Sequence, residues 1–76
     1  MQKWEYCSLW NHKAQFIHHL TERGMEMSKI DMPKGTSEEN ITAMVIAHLG
    51  NEGWELVGMG NISQFEHKLY FKRPKA

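Results

Sequence analysis

The chain has 76 residues, of which nine are Lys or Arg and nine are Asp or Glu, so its formal net charge is zero. This length suits a single domain, residues 1–76, that buries roughly 60% of the surface of its unfolded chain. The balance of charge argues against a nucleic-acid partner, because such proteins normally carry a basic excess that contacts phosphates. The lone cysteine, Cys7, excludes an internal disulfide and is typical of a reducing cytosol.

The sequence contains no apolar run long enough to span a membrane. Its first residues also lack the apolar stretch of a signal peptide. We therefore expect a cytoplasmic protein with no membrane partner.

The first predicted element is a strand over Lys3–Trp10, where aromatic residues alternate with other side chains. Alternation places Trp4, Tyr6 and Trp10 on one face and Cys7 and Leu9 on the other. The next segment, residues 14–24, fits either a helix or a strand. We favour a strand that continues through a turn at Thr21–Gly24 into a second strand, because glycine suits the left-handed position of such a turn.

A helix is predicted after the loop Asp31–Gly35. Thr36 or Ser37 would cap it, and Thr36 with Glu39 would form a capping box. Gly53 is the expected left-handed stop at its end. The residues expected on its buried face share helical spacing and are Ile41, Met44, Val45, His48 and Leu49.

Two more strands are predicted after the helix. Alternation from Trp54 to Met59 places Trp54 and Leu56 opposite Val57 and Met59. The last strand, 67–73, places Leu69 and Phe71 opposite Tyr70. The predicted fold is therefore α+β: a small antiparallel β-sheet, in the sequence order β-β-β-α-β-β, with one helix packed on one face.

Three sequence blocks carry a resemblance to a known family. They are Trp4-Glu5-Tyr6, the run Leu49–Val57 that reads LGNEGWELV, and Tyr70-Phe71-Lys72-Arg73-Pro74. In this order they resemble family 4177 of the domains of unknown function, small and mostly bacterial or phage proteins. The resemblance implies a compact α+β fold and no assigned activity, cofactor or catalytic residue. It implies a core role for five matched residues: Trp4, Gly53, Trp54, Leu56 and Phe71.

No group of residues in the sequence predicts catalysis or metal binding. The adjacent His18 and His19 point to opposite faces of a strand and cannot share an ion, and the other histidines lack zinc-type spacing. Cys7, in the middle of a strand, is typical of a small buried hydrophobe. We expect no enzyme and no cofactor.

The strands carry apolar residues on both faces, although one helix can cover only one of them. A free sheet face is normally polar, and a large apolar patch usually marks an interface. The sequence therefore predicts that a second copy covers the free face, in a homodimer or higher oligomer, and that the protein is a self-associating interaction module. The alternative is a small-ligand site between subunits, possibly for a nucleotide. In that case Trp10, Phe16 and Tyr70 would stack on a ring and Lys13, Arg23 or Arg73 would meet a phosphate.

Overall fold

The computed structural model describes residues 1–76 and confirms the predicted fold. One helix and five strands follow one another in the predicted order, β-β-β-α-β-β. Their bounds are β1 Trp4–Trp10, β2 Phe16–Thr21, β3 Gly24–Lys29, α1 Glu38–Asn51, β4 Glu55–Asn61 and β5 His67–Pro74.

All five strands form one antiparallel sheet in the order β3-β2-β1-β5-β4. The first and last strands of the chain are therefore neighbours at its centre, with Trp4 opposite Pro74 and Trp10 opposite Lys68. The edges are β3 and β4, which are each paired on one side only.

Residues 14–24, which fitted either a helix or a strand, belong to the predicted hairpin. Strand β2 ends at Thr21, and β3 begins at Gly24, whose φ of 114° is open to glycine but rarely to other residues. The Thr21 hydroxyl donates to the Gly24 carbonyl at 2.8 Å and accepts from the Arg23 N–H at 3.2 Å. These bonds fix a two-residue connection between the strands.

Ser37 caps the N-terminus of α1, and its hydroxyl accepts from the Asn40 N–H at 3.2 Å. The predicted capping box of Thr36 with Glu39 is wrong, because the Thr36 hydroxyl donates instead to the Pro33 carbonyl at 2.6 Å. Glu38 in the first turn complements the positive end of the helix dipole.

The helix stops where the sequence predicted, at Gly53, whose φ is 87°. The N–H of Gly53 donates to the Gly50 carbonyl at 3.1 Å, and that of Trp54 donates to the Leu49 carbonyl at 2.9 Å. This pair of bonds is a Schellman motif, and its usual apolar contact is made by Leu49 and Trp54 within the core.

The structure contains no helix with the length and apolarity needed to cross a bilayer.

The core lies between α1 and the three central strands. Val45 and Leu49 of the helix pack there with side chains from β1, β2 and β5 and with Trp54. Its seven buried members are Cys7, Leu9, Ile17, Val45, Leu49, Trp54 and Phe71. The edge strands contribute no buried residue, so the helix covers the middle of the sheet and leaves both margins open.

Two core roles implied by the family resemblance are wrong for the single chain. Trp4 is 38% exposed and Leu56 is 55% exposed, whereas Trp54 and Phe71 are buried as expected. Trp4 points away from the helix, and Leu56 lies on an edge strand beyond the area that the helix covers. The predicted buried positions of Met44 and His48 on the helix are also wrong, since both residues are exposed.

A β-bulge in β4 changes which of its residues share a face. The register shifts between Leu56, which is paired with Phe71, and Gly58, which is paired with Tyr70. The extra residue is Val57, so Met59 comes opposite Leu69, on the helix side of the sheet. The expectation that Leu56 and Met59 lie on opposite faces is therefore wrong.

Candidate functional site

The sheet has one face that the helix does not cover, which we call the open face. Directly paired residues of antiparallel strands point the same way, so the register identifies its members. They are Trp4, Tyr6, Ser8, Trp10, Phe16, His18, Leu20, Met25, Met27, Lys29, Glu55, Gly58, Gly60, Lys68, Tyr70 and Lys72. The predicted separation of Trp4, Tyr6 and Trp10 from Cys7 and Leu9 is confirmed, as is that of Tyr70 from Leu69 and Phe71.

Four residues form a line across the open face at the end of the sheet where β1 stops. Lys29 pairs with Phe16, and Trp10 pairs with Lys68. The register of β1 with β2 brings Phe16 beside Trp10. We call the line Lys29, Phe16, Trp10 and Lys68 the upper row. Cations therefore flank two neighbouring aromatic rings.

A shallow cavity extends the upper row toward the turn after β1. Its volume is about 140 Å³, and it is lined by Lys13, Phe16, His18 and Met27. The Lys29 ammonium lies 5.8 Å from the centre of the Phe16 ring, within cation–π range. Three lysine side chains thus lie around Phe16 and Trp10.

Tyr70 adds a third ring in the adjacent row, on β5. Its Cε2 atom lies 3.7 Å from the position that a Cβ on Gly60 would occupy, so this glycine leaves room for the ring. Phe16, Trp10 and Tyr70 lie on three successive strands of the sheet, which are spaced about 4.8 Å apart. The aromatic residues that the sequence singled out are therefore close together on one surface.

Two buried nitrogen atoms of the open face have no hydrogen-bond partner in the protein. They are Nε1 of Trp10 and Nδ1 of His18. Unpaired buried polar atoms are uncommon in folded proteins and call for an explanation. Both atoms lie beneath the open face and are closed to solvent, so a molecule bound on this face reaches neither of them without a movement of side chains.

The two arginines proposed as phosphate ligands do not join these aromatics. Arg23 lies on the β2–β3 turn at the other end of the sheet. Arg73 pairs with Glu5 on β1, and its Nη1 donates to the carbonyl of Glu52 at 2.9 Å. Arg73 also lies 4.4 Å from the centre of the Trp54 ring. It therefore ties β5 to β1 and to the end of the helix, on the side opposite the open face.

The histidines are distributed as the alternation of a strand requires. His18 pairs with Met27 on the open face, whereas His19 pairs with Glu26 on the helix side. The Nε2 atom of His19 lies 3.0 Å from the Ser28 hydroxyl. No group of three or more His, Cys, Asp or Glu side chains lies close enough to hold one metal ion.

Cys7 is buried against the helix, as the sequence predicted for a small apolar residue. Burial raises the pKa of its thiol to about 11, although the nearby charge of Arg73 acts in the opposite direction. At neutral pH the thiol is therefore protonated, and thiolate chemistry is not available to it.

A second exposed surface follows strand β4 and the turn after it, and we call it the β4 margin. It contains no charged residue between Glu55 and Glu66, and it carries no proline. Natural edge strands are usually protected by charges or proline against pairing with another chain. The exposed apolar residues of the β4 margin are Leu56, Val57, Met59, Ile62 and Phe65.

Comparisons with known proteins add no assignment. No family model matches the chain, and neither a curated protein nor a solved structure matches it. The resemblance to family 4177 therefore stays a prediction, and a functional proposal has to rest on the fold and the two exposed surfaces.

Sequence reasoning missed the role of Lys29 and Lys68 in the upper row. They are 39 residues apart in the numbering and share a face only through the pairing of β3, β2, β1 and β5. The sequence signal for them is weak, because it consists only of a lysine at the last residue of β3 and another at the second residue of β5. Their alignment depends on the strand order, which alternation within one strand cannot supply.

Proposed function

We propose that this protein is a non-catalytic, self-associating interaction module and that the β4 margin is where two copies meet. In this proposal β4 of one copy pairs antiparallel with β4 of the other around a twofold axis. The support is the combination of a one-sided edge strand with exposed Leu56, Val57 and Met59.

The accessible surface carries the argument that something covers part of this chain. Folded monomers of 8.9 kDa expose about 4,800 Å² by the usual scaling with mass. This chain exposes 5661 Å², which is about 850 Å² more. A stable interface of standard size buries about 800 Å² on each partner. The excess therefore matches the share of one partner in a dimer.

The open face is the less suitable place for a second copy. It carries Lys29, Lys68 and Lys72, and a second copy packed on it would cover these cations with a surface that has the same excess of positive charge. Like charges brought together at an interface cost several kcal/mol. The β4 margin has no such penalty, because it contains no charged residue between Glu55 and Glu66.

The expected dimer is of modest affinity. Burying the exposed half of Leu56, Val57 and Met59 on both copies contributes roughly 5–9 kcal/mol, since full burial of one such side chain is worth about 1.5–3 kcal/mol. Association costs about 4 kcal/mol or more in lost freedom of motion. Backbone hydrogen bonds between the two β4 strands supply the rest of the binding free energy.

We propose a bacterial or phage cytoplasm as the setting.

Light scattering coupled to size-exclusion chromatography at high protein concentration tests the proposal. We expect a mass of about twice the 8.9 kDa of the chain. Met59→Lys on β4 and Met27→Lys on β3 form a matched pair, because these methionines are 63% and 64% exposed on opposite edges of the sheet. Met59→Lys should give a monomer, and Met27→Lys should leave the dimer intact.

Two results would contradict the proposal. A wild-type monomer at every concentration would exclude self-association. Dissociation by Met27→Lys with no effect of Met59→Lys would place the interface on the open face instead.

A further inference from the structure

We infer that the upper row and Tyr70 form a binding site for single-stranded nucleic acid. The inference concerns the open face, which the proposed dimer leaves free, and it does not depend on the proposed function.

Charge is the first argument. The whole chain is neutral, but the open face and the cavity beside it hold four lysines, Lys13, Lys29, Lys68 and Lys72, and one acid, Glu55. Glu55 is already paired with Lys72 at 3.7 Å. The three lysines around the upper row form no ion pair with the protein. A chain with zero net charge therefore has a local excess of positive charge on this face.

The aromatic rings are the second argument. Proteins bind single strands without sequence preference by stacking bases on aromatic side chains while cations follow the phosphates. Phe16, Trp10 and Tyr70 provide three rings on successive strands, and Lys29 and Lys68 flank the first two. An antiparallel sheet with aromatics on its free face is also the platform on which several RNA-binding domains stack two or three bases.

The exclusion of other occupants is the third argument. An apolar peptide would remove Lys13, Lys29 and Lys68 from water without a partner. A duplex hides the ring faces of its bases, so it cannot stack on these side chains.

Fluorescence anisotropy with a labelled single strand of about 12 nucleotides, prepared as DNA and as RNA, tests the inference. We expect binding of at least one of the two that weakens steeply with salt, and weaker binding of the matching duplex. Trp10→Leu and Phe16→Leu should each lower the affinity about fivefold or more. Far-UV circular dichroism verifies that these variants are folded.

Lysine pairs provide a control that does not disturb the core. Lys13→Gln with Lys29→Gln removes two exposed charges from the site, and Lys3→Gln with Lys34→Gln removes two exposed charges elsewhere. The first pair should reduce the slope of log affinity against log salt by about 0.7 for each phosphate that is no longer neutralised. The second pair should leave the slope unchanged.

Three results would overturn the inference. They are no binding of either single strand, equal affinity for the duplex, and equal effects of the two lysine pairs. Because Met59→Lys reports on self-association separately, failure here would leave the proposed dimer untouched, and failure of the dimer would leave this site untouched.

Discussion

Cys7 lies at the centre of the sheet on the helix side, between Phe71 of β5 and His19 of β2. Its thiol is fully buried, and the sequence predicted this environment because the residue lies in the middle of an alternating strand. The core role that the family resemblance implied for Trp4 failed, because the same alternation places Trp4 on the open face. Alternation identifies two faces, but it does not say how far along each face the helix extends.

Burial of Cys7 has a consequence for stability at high pH. Its pKa rises from the ordinary value of 9.0 to about 11 in the folded chain, so the folded state favours the neutral thiol. This contribution to the free energy of unfolding is fully present below pH 9.0, and it is lost as pH rises toward about 11. We expect the difference in unfolding free energy between the wild type and Cys7→Ala to shrink across this range.

Urea unfolding of both proteins from pH 8 to 11, about the range of that shift, measures this difference. Both proteins share every other ionisable group, so the comparison between them removes the contribution of those groups. A difference that stays constant with pH would show that the thiol is not destabilised as an anion in the folded state.

At the scale of elements, the helix was the most predictable part. Its signals are local, because Ser37 and Gly53 act on backbone groups within a few residues of themselves. The β4 strand was the least predictable part, because the bulge at Val57 depends on pairing with β5. A pattern read along one strand cannot show that two of its residues face one residue of the neighbour.

Two glycines near the end of α1 should respond to alanine in opposite directions. Gly53 has a φ of 87°, and an alanine there costs about 1–2 kcal/mol of stability because its Cβ crowds the following carbonyl. Gly50 is helical, and a Cβ added to it would meet no atom within 4 Å. Gly50→Ala should therefore stabilise the protein by about 0.5–1 kcal/mol.

Thermal or urea unfolding of the two variants tests this pair at the same end of the same helix. Destabilisation by both substitutions would indicate that Gly50 has a packing role. A neutral Gly53→Ala would indicate that the helix stop tolerates a different backbone conformation.

The whole molecule measures 43 × 27 × 21 Å, and its one helix covers only the middle of a sheet of five strands. The sequence predicted the imbalance between one helix and two apolar faces. It could not predict that the apolar surface left uncovered by the helix consists of two parts, a basic aromatic face and an uncharged edge strand. That division depends on the strand order β3-β2-β1-β5-β4, which brings Lys29, Phe16, Trp10 and Lys68 into one line and leaves β4 outside.

Self-association through β4 should make thermal stability depend on concentration. Anything that binds only the folded chain stabilises it by mass action, so the melting temperature of the wild type should rise with protein concentration. Met59→Lys should melt at the same temperature at all concentrations, and Met27→Lys should behave as the wild type does. Calorimetry over a wide dilution series provides the measurement. A wild-type melting temperature that is independent of concentration would contradict the expectation.

The central position of β1 and β5 determines when this protein can fold during its synthesis. The β1–β2–β3 strands and the β4–β5 hairpin are each continuous in sequence, but the sheet is joined only by pairs such as Cys7 with Phe71. A ribosome releases the N-terminal end first, so β1 must wait for its partner until β5 has been made. Until then Cys7 and Leu9 have no β5 beside them, and we expect the nascent chain to acquire its core only after its last strand leaves the exit tunnel.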